Sequence, residues 1–194
     1  NKNFILYLHS FTDSSCHWGV DGVVNHYQYF LNAAKSISEI DENIRIIIRP
    51  HPVSFTNYKR GEIAKFDRSL QFELIKDIKN VSDNIHISPP WISNNHLLHR
   101  PNTVIVTRWG NIGIESAYLN IPTIISPIAP YAKLIDPRLH VERITDLPSA
   151  IKHAIMICGL GDKNNSLIIE DLIRYVIASN LNENYKSISK SLTR

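Results

Sequence analysis

The sequence predicts an open α/β domain, a parallel sheet wound with helices on both faces. Two observations predict it. Short β-branched runs alternate with helix-patterned segments along almost the whole chain, and most of those runs are apolar at every residue rather than at every second one. A strand with one face in water alternates, whereas a strand buried on both faces does not. Parallel strands need crossovers, and helices lying on the two faces supply them. At 194 residues, 43% hydrophobic and 20% charged, the chain is large enough to bury one substantial core.

The elements follow in order. Phe4-Ile5-Leu6-Tyr7-Leu8 is the first strand, and a polar loop runs from His9 to about Gly22. Tyr27, Phe30, Leu31, Ala34 and Ile37 then recur at helical spacing. Ile44 to Ile48 is a second strand, stopped by Pro50 and Pro52. A less regular stretch leads to a helix near Asp67 to Lys79, with Leu70, Leu74, Ile75 and Ile78 on one face. Three further strands are predicted at Ile85 to Ile87, Thr103 to Val106 and Thr123 to Ile125. Short helices near Asn94 to His99 and Ile112 to Asn120 fall between them. Beyond Pro148 the pattern is helical, over Ala150 to Ile157 and again over Leu167 to Ile177. No repeat or linker divides the chain, so residues 1–179 read as one Rossmann-like, doubly wound domain and 180–194 as a final helix or tail.

Composition narrows the function classes. The formal charge of +3 is mildly basic and suits an anionic substrate or an anionic membrane surface. Its Lys and Arg residues are scattered, without a basic tract or an RNA-binding signature, which argues against nucleic acid as a partner. No apolar run approaches the ~18–20 residues that cross a bilayer, and the start does not resemble a signal peptide. Cys16 and Cys158 show no metal-ligand spacing and fit a reducing cytoplasm without a structural disulfide. Because the chain enters a strand almost at once after Asn1, it reads as a piece of a longer polypeptide.

Doubly wound sheets bind ligands at the carboxyl ends of their strands, so chemistry is sought there. After the first strand, His9, Ser10, Asp13 and His17 bring imidazole, hydroxyl and carboxylate groups into one loop, with no GxGxxG dinucleotide fingerprint. After the second, Arg49-Pro50-His51-Pro52 sets two donors for anionic oxygens between prolines that hold the backbone extended. After Val106, Thr107-Arg108-Trp109-Gly110-Asn111-Ile112-Gly113 turns into a helix start whose free N–H groups favour anions. Asn111 fits its N-cap, and Glu115, one turn in, fits a hydroxyl acceptor for ribose. Tyr131, beyond the Pro127 exit of the next strand, is placed to close over a base or sugar. Each cluster has an ordinary alternative: a turn-rich surface loop, a prolyl strand terminator, a capped helix with a solvated glutamate. Three at successive strand ends favour one ligand site.

The segments LHSFTDSSCHWGVDG, HYQYFLNAA, IIIRPHP and TRWGNIGIESAYLNIPTIIS, within about residues 4 to 132, resemble the C-terminal halves of bacterial capsule and surface-polysaccharide glycosyltransferases of the two-domain GT-B type. The His-Pro pair is similar to that of β-Kdo transferases and bacterial sialyltransferases, which use CMP-activated sugars. The resemblance implies that His51 binds the donor phosphate, that Asn111 and nearby amides hold its other oxygens, and that Glu115 takes the ribose. This chain departs from the pattern at Asn111, where Ser or Thr is usual, and at Asn120, where Gly often precedes Ile-Pro. The implied partners are a nucleotide-sugar donor, with CMP-Kdo or CMP-sialic acid preferred, a glycan or lipid-linked glycan acceptor of a growing capsule or lipopolysaccharide, and an N-terminal GT-B domain of the same or a partner polypeptide. The implied location is the cytoplasm, with peripheral contact at the inner face of its membrane.

Glycosyl transfer needs leaving-group stabilisation, a general base and alignment of two substrates. No D-x-D occurs, so neither a metal nor another cofactor is expected, and Arg49, His51, Arg108 and a helix start would meet the leaving-group charge. Asp13 and His17 are the local candidates for the base. Two alternatives stay open: a glycerophosphotransferase half using CDP-glycerol, and a non-catalytic nucleotide-binding or scaffold module. A non-hydrolysing sugar-nucleotide epimerase is disfavoured by the His9 to Gly19 loop.

Overall fold

The computed structural model describes residues 2–11, 26–56 and 61–158. Five strands form one sheet: β1 (Asn3–Tyr7), β2 (Arg45–Arg49), β3 (Ile85–Ile87), β4 (Thr103–Val106) and β5 (Thr123–Ile124). Their spatial order is β3-β2-β1-β4-β5, and every pairing is parallel. This is the Rossmann-like α/β arrangement, in which the chain works outward from β1 in one direction and then returns to its other side. The strand order reverses between β1 and β4, so the crevice lies outside their carboxyl ends.

Period-two alternation sorts the strand residues between the two faces. Phe4, Leu6 and Leu8, with Ile46, Ile48, Val104 and Val106, enter the larger core. There they meet α1 (His26–Ile40), α3 (Gly61–Lys79) and α6 (Leu147–Ile157) through residues such as Phe30, Ile37, Leu74, Ile78 and Ile151. Ile5, Tyr7, Ile47 and Ile105 point the other way, onto Leu97 and Leu98 of α4 (Asn94–Leu98) and Ile112 of α5 (Ile112–Tyr118). Burial on both faces is why β1 and β4 carry no alternation in the sequence. Truncating a fully buried side chain such as Phe30 would cost about 3–5 kcal/mol.

Several expected boundaries move. The irregular stretch after Pro52 is a short helix, α2 (Pro52–Thr56), and α3 begins at Gly61 rather than near Asp67. Exposed Ile63 and Phe66 in the first turns of α3 hide its amphipathic pattern. Its buried face runs through Ala64, Asp67, Gln71, Leu74, Ile75 and Ile78, leaving Leu70 only half-buried. Strand β5 stops at Ile124, and Ile125 instead bridges His140 in a short parallel pairing. Helix α5 ends at Tyr118 in a Schellman turn, in which Asn120 N–H donates to Ala117 O and Ile121 N–H to Ser116 O. Asn120 takes φ 56° there. The turn thus explains why asparagine stands where the resembled pattern has glycine: it tolerates the left-handed region better than other side chains. The helix expected over Leu167 to Ile177 and the tail from Asn180 lie outside the described residues. Among the described residues no helix is long and apolar enough to cross a membrane.

Candidate functional site

At the switch point, the exits of β1 and β4 are joined by one side chain. His9 Nε2 accepts the Arg108 backbone N–H at 3.2 Å and lies 3.0 Å from Thr107 Oγ1. An amide nitrogen can only donate here, so Nε2 carries no proton and the ring is neutral with its proton on Nδ1. Ionisation points the same way. Burial, reinforced by His26, His51 and Arg108, holds the imidazole well below its ordinary value. His9 was expected among the residues that bind the donor phosphate or nucleotide; its ring ties two strand ends together. Gly110 makes this approach possible, since a Cβ there would stand 3.0 Å from His9 Cε1 and 3.1 Å from Thr107 Oγ1.

Around His9 lies an aromatic and basic shell. His26, the first residue of α1, stacks on it at 5.2 Å, and Trp109 approaches His9 and His26 at 5.5 and 4.7 Å. The Arg108 guanidinium is buried over Trp109, 4.4 Å from the ring centroid, and 5.8 Å from that of Tyr29. Tyr29 donates its hydroxyl to Thr107 O at 3.0 Å, which pins the end of β4 against α1.

The turn from β4 into α5 is tightly held. Gly113 N–H donates to Gly110 O, and Ile114 and Glu115 N–H to Asn111 O. Among the described residues, the amides of Gly110, Asn111 and Ile112 make no hydrogen bond. Asn111 stands at the N-cap position but in helical conformation, without a side-chain cap bond, and its carbonyl accepts the first turn's N–H groups. Tyr131 also departs from expectation. It is 2% exposed and donates its hydroxyl to Gly110 O at 2.5 Å, so it is a buried strut beneath the turn rather than a cover over a ligand.

The loop after β1 and the exit of β2 meet at a buried carboxylate that sequence reading missed. Asp67, 2% exposed, accepts hydrogen bonds from Ser10 Oγ at 3.1 Å, Phe11 N–H, Ser54 Oγ and Gln71 Nε2 at 3.1 Å. Gln71 also donates to Ser54 Oγ at 2.6 Å, and its Oε1 accepts the His51 N–H at 2.9 Å. The Ser10 hydroxyl, expected at the ligand, thus contributes to this network. Pro52 opens α2 instead of prolonging an extended segment, as suits a residue whose nitrogen needs no partner in a first turn. The signal for the network was present in the sequence: Asp67 and Gln71 are spaced i, i+4 in line with Leu74 and Ile78, so a polar pair lies on the helix face that packs inward.

Arg49 and Glu115 form a separate group. Arg49 follows Ile47 in period and stands on the α4/α5 face, 5.4 Å from the Tyr7 ring centroid, donating to Ile92 O at 3.1 Å and to Pro50 O at 3.5 Å. Glu115 is exposed and accepts from Asn94 Nδ2 at 2.9 and 3.2 Å. Burial raises the Tyr7 hydroxyl's pKa, which Arg49 lowers and Glu115 raises further. Burial lowers that of Arg49, opposed by Tyr7 and Glu115. Arg49 thus stands on the α4/α5 face, whereas the backbone N–H of His51 meets Gln71 of α3.

Asp13 and His17, the candidates for the base, lie outside the described residues. Among the described residues no group of three or more His, Cys, Asp or Glu side chains could hold a metal ion. Fold and rim together define a Rossmann-like α/β domain with His9, His26, Arg108 and Trp109 packed together at its switch point. Neither a known family model nor a curated protein sequence matches the chain.

Proposed function

We propose that this chain is the donor-binding half of a GT-B-type glycosyltransferase of bacterial surface-polysaccharide synthesis, taking a nucleotide-activated sugar with CMP as the preferred carrier. The observation that carries the reading is the packing of His26 on His9 at 5.2 Å beside the Arg108 guanidinium, held over Trp109 at 4.4 Å, at the carboxyl ends of β1 and β4. Beside them, the amides of Gly110, Asn111 and Ile112 have no acceptor among the described residues. Cationic and N–H donors gathered at a partly dry strand end suit a phosphate, and they would stabilise the charge that develops on a departing nucleotide. In this reading His51 and Arg108 meet the phosphate oxygens. Neutral His9 holds the Arg108 backbone in place, and the acceptor glycan and general base come from a partner domain closing over the rim.

Isothermal titration of the chain with CMP, UDP and GDP tests the proposal. CMP is expected to bind most tightly. His51→Ala is expected to weaken it by about tenfold or more, the scale of one charge-assisted hydrogen bond, while leaving the thermal midpoint in place. Absence of binding by all three nucleotides at millimolar concentration would refute the reading.

A further inference from the structure

His51 lies between two residues that have no backbone N–H, Pro50 and Pro52. Its own amide is therefore the single backbone donor of that run, and it goes to a side chain, Gln71 Oε1 of α3, at 2.9 Å. The His51 carbonyl is taken as well, by the Ser54 N–H at 3.2 Å. Gln71 and Ser54 are themselves joined, Gln71 Nε2 donating to Ser54 Oγ at 2.6 Å. Both backbone groups of His51 thus end on one buried pair. Arg68 fastens the same turn, its Nε donating to Ser54 O at 2.8 Å.

The pair has a direction, and Asp67 sets it. A carboxylate only accepts, so Ser54 gives its one hydroxyl proton to Asp67 and can only accept from Gln71. Asp67 Oδ2 takes a further N–H from Gln71 Nε2 at 3.1 Å. With both donors of the amide committed to one side, its oxygen must face the other, where the His51 N–H stands. A flipped amide would set N–H against N–H at His51 and oxygen against carboxylate at Asp67. Exclusion of water raises the cost of either mismatch. Asp67 Oδ1 meanwhile holds Ser10 and the Phe11 amide, so the same carboxylate ties the His51 turn to the end of β1.

We infer that Gln71 is a positioning residue for His51, holding its backbone so that the imidazole is presented to an anion at the rim, and that Asp67 acts through Gln71 by fixing the sense of its amide. Identifying the anion as a donor phosphate rests on the nucleotide-sugar reading; the hold on the His51 backbone does not.

The test compares the full chain with Gln71→Met, which keeps the bulk and removes the acceptor, and with Gln71→Glu. Of two facing carboxyls one keeps its proton, so the new carboxyl would still offer a carbonyl to His51 and an O–H toward Asp67. Histidine-labelled chains give the ring resonances by NMR, with those of His51 assigned from their loss in His51→Ala, and calorimetry gives the CMP affinity. Gln71→Met should shift and broaden the His51 ring signals, weaken CMP binding by about tenfold, and add nothing further in a His51→Ala chain. Gln71→Glu should restore the signals and most of the affinity. A shift of the His51 signals by Gln71→Met in a chain that ignores CMP would support the positioning role while refuting the nucleotide reading. Unmoved His51 signals in Gln71→Met, or a loss of CMP affinity that multiplies with that of His51→Ala, would overturn the inference. So would a His51 amide that exchanges with deuterium as fast as an open peptide in the unaltered chain, a measurement that needs no variant to fold.

Discussion

Replacing Gly113 with alanine should be among the most damaging single-methyl additions in the chain. A Cβ at this position would stand 2.5 Å from Tyr131 Cε2 and 2.6 Å from Cζ, with Oη nearer still. Ordinary carbon contacts lie at about 3.5–4.0 Å, so the overlap is with the ring itself. The ring has little freedom to yield, being 2% exposed and tied by its hydroxyl to Gly110 O at 2.5 Å. Overpacking of this kind costs about 1–3 kcal/mol, and loss of the hydroxyl bond adds about 1 kcal/mol, for a total near 3 kcal/mol. Urea unfolding measures it directly. Tyr131→Ala alone should cost about 3–5 kcal/mol. In that background Gly113→Ala has room and gains helix propensity, so its further cost should vanish or reverse by about 0.5 kcal/mol. The double-mutant cycle therefore predicts a coupling of about 3 kcal/mol. If the two changes add to within about 0.5 kcal/mol, the packing argument fails, and with it the account of how the β4–α5 turn is held.

Three other perturbations probe the rim. The neutral imidazole of His9 has a folded pKa below the ordinary value of about 6.5, so under acid the unfolded chain takes up a proton that the folded chain refuses. Stability should fall as pH drops below about 6.5, by up to about 1.4 kcal/mol per pH unit from this group, and His9→Gln should flatten the slope; equal slopes in both chains would contradict the assignment. Asp67→Asn puts an amide N–H donor where a carboxylate oxygen accepts, and should cost about 2–4 kcal/mol and speed hydrogen exchange at the Phe11 amide; an unchanged midpoint would remove Asp67 from its proposed place. At Asn120, alanine should cost about 1 kcal/mol and glycine be near neutral, because φ 56° disfavours an ordinary side chain; equal effects of the two would mean that left-handed strain is not what selects the residue.

The strands were legible because each is short, nearly all apolar and bounded by breakers, and β3 and β4 begin and end at the residues expected. Helix α1 and the second half of α3 were legible for a related reason, since their inward faces are long enough to show a period. What the sequence hid were turns without a period of their own, such as α2, and the opening turns of α3, whose outward Ile63 and Phe66 obscure the pattern. The bond from the Arg108 amide to His9 was hidden for another reason. It joins residues 99 apart in sequence, brought together only because β4 pairs with β1, and no local pattern encodes a sheet order.

The place of Arg49, by contrast, could have been argued from the strand itself. Side chains of a strand change face at every residue, so Arg49 must share the side of Ile47, which packs with Tyr7, Leu97 and Leu98. His51, two residues on, would share that side too had the strand continued. Pro50 and Pro52 prevent it: β2 ends at Arg49, the chain turns into α2, and the His51 amide meets Gln71 of α3 instead. The Arg-Pro-His-Pro run is therefore a strand end followed at once by a helix start, not a continued extended segment.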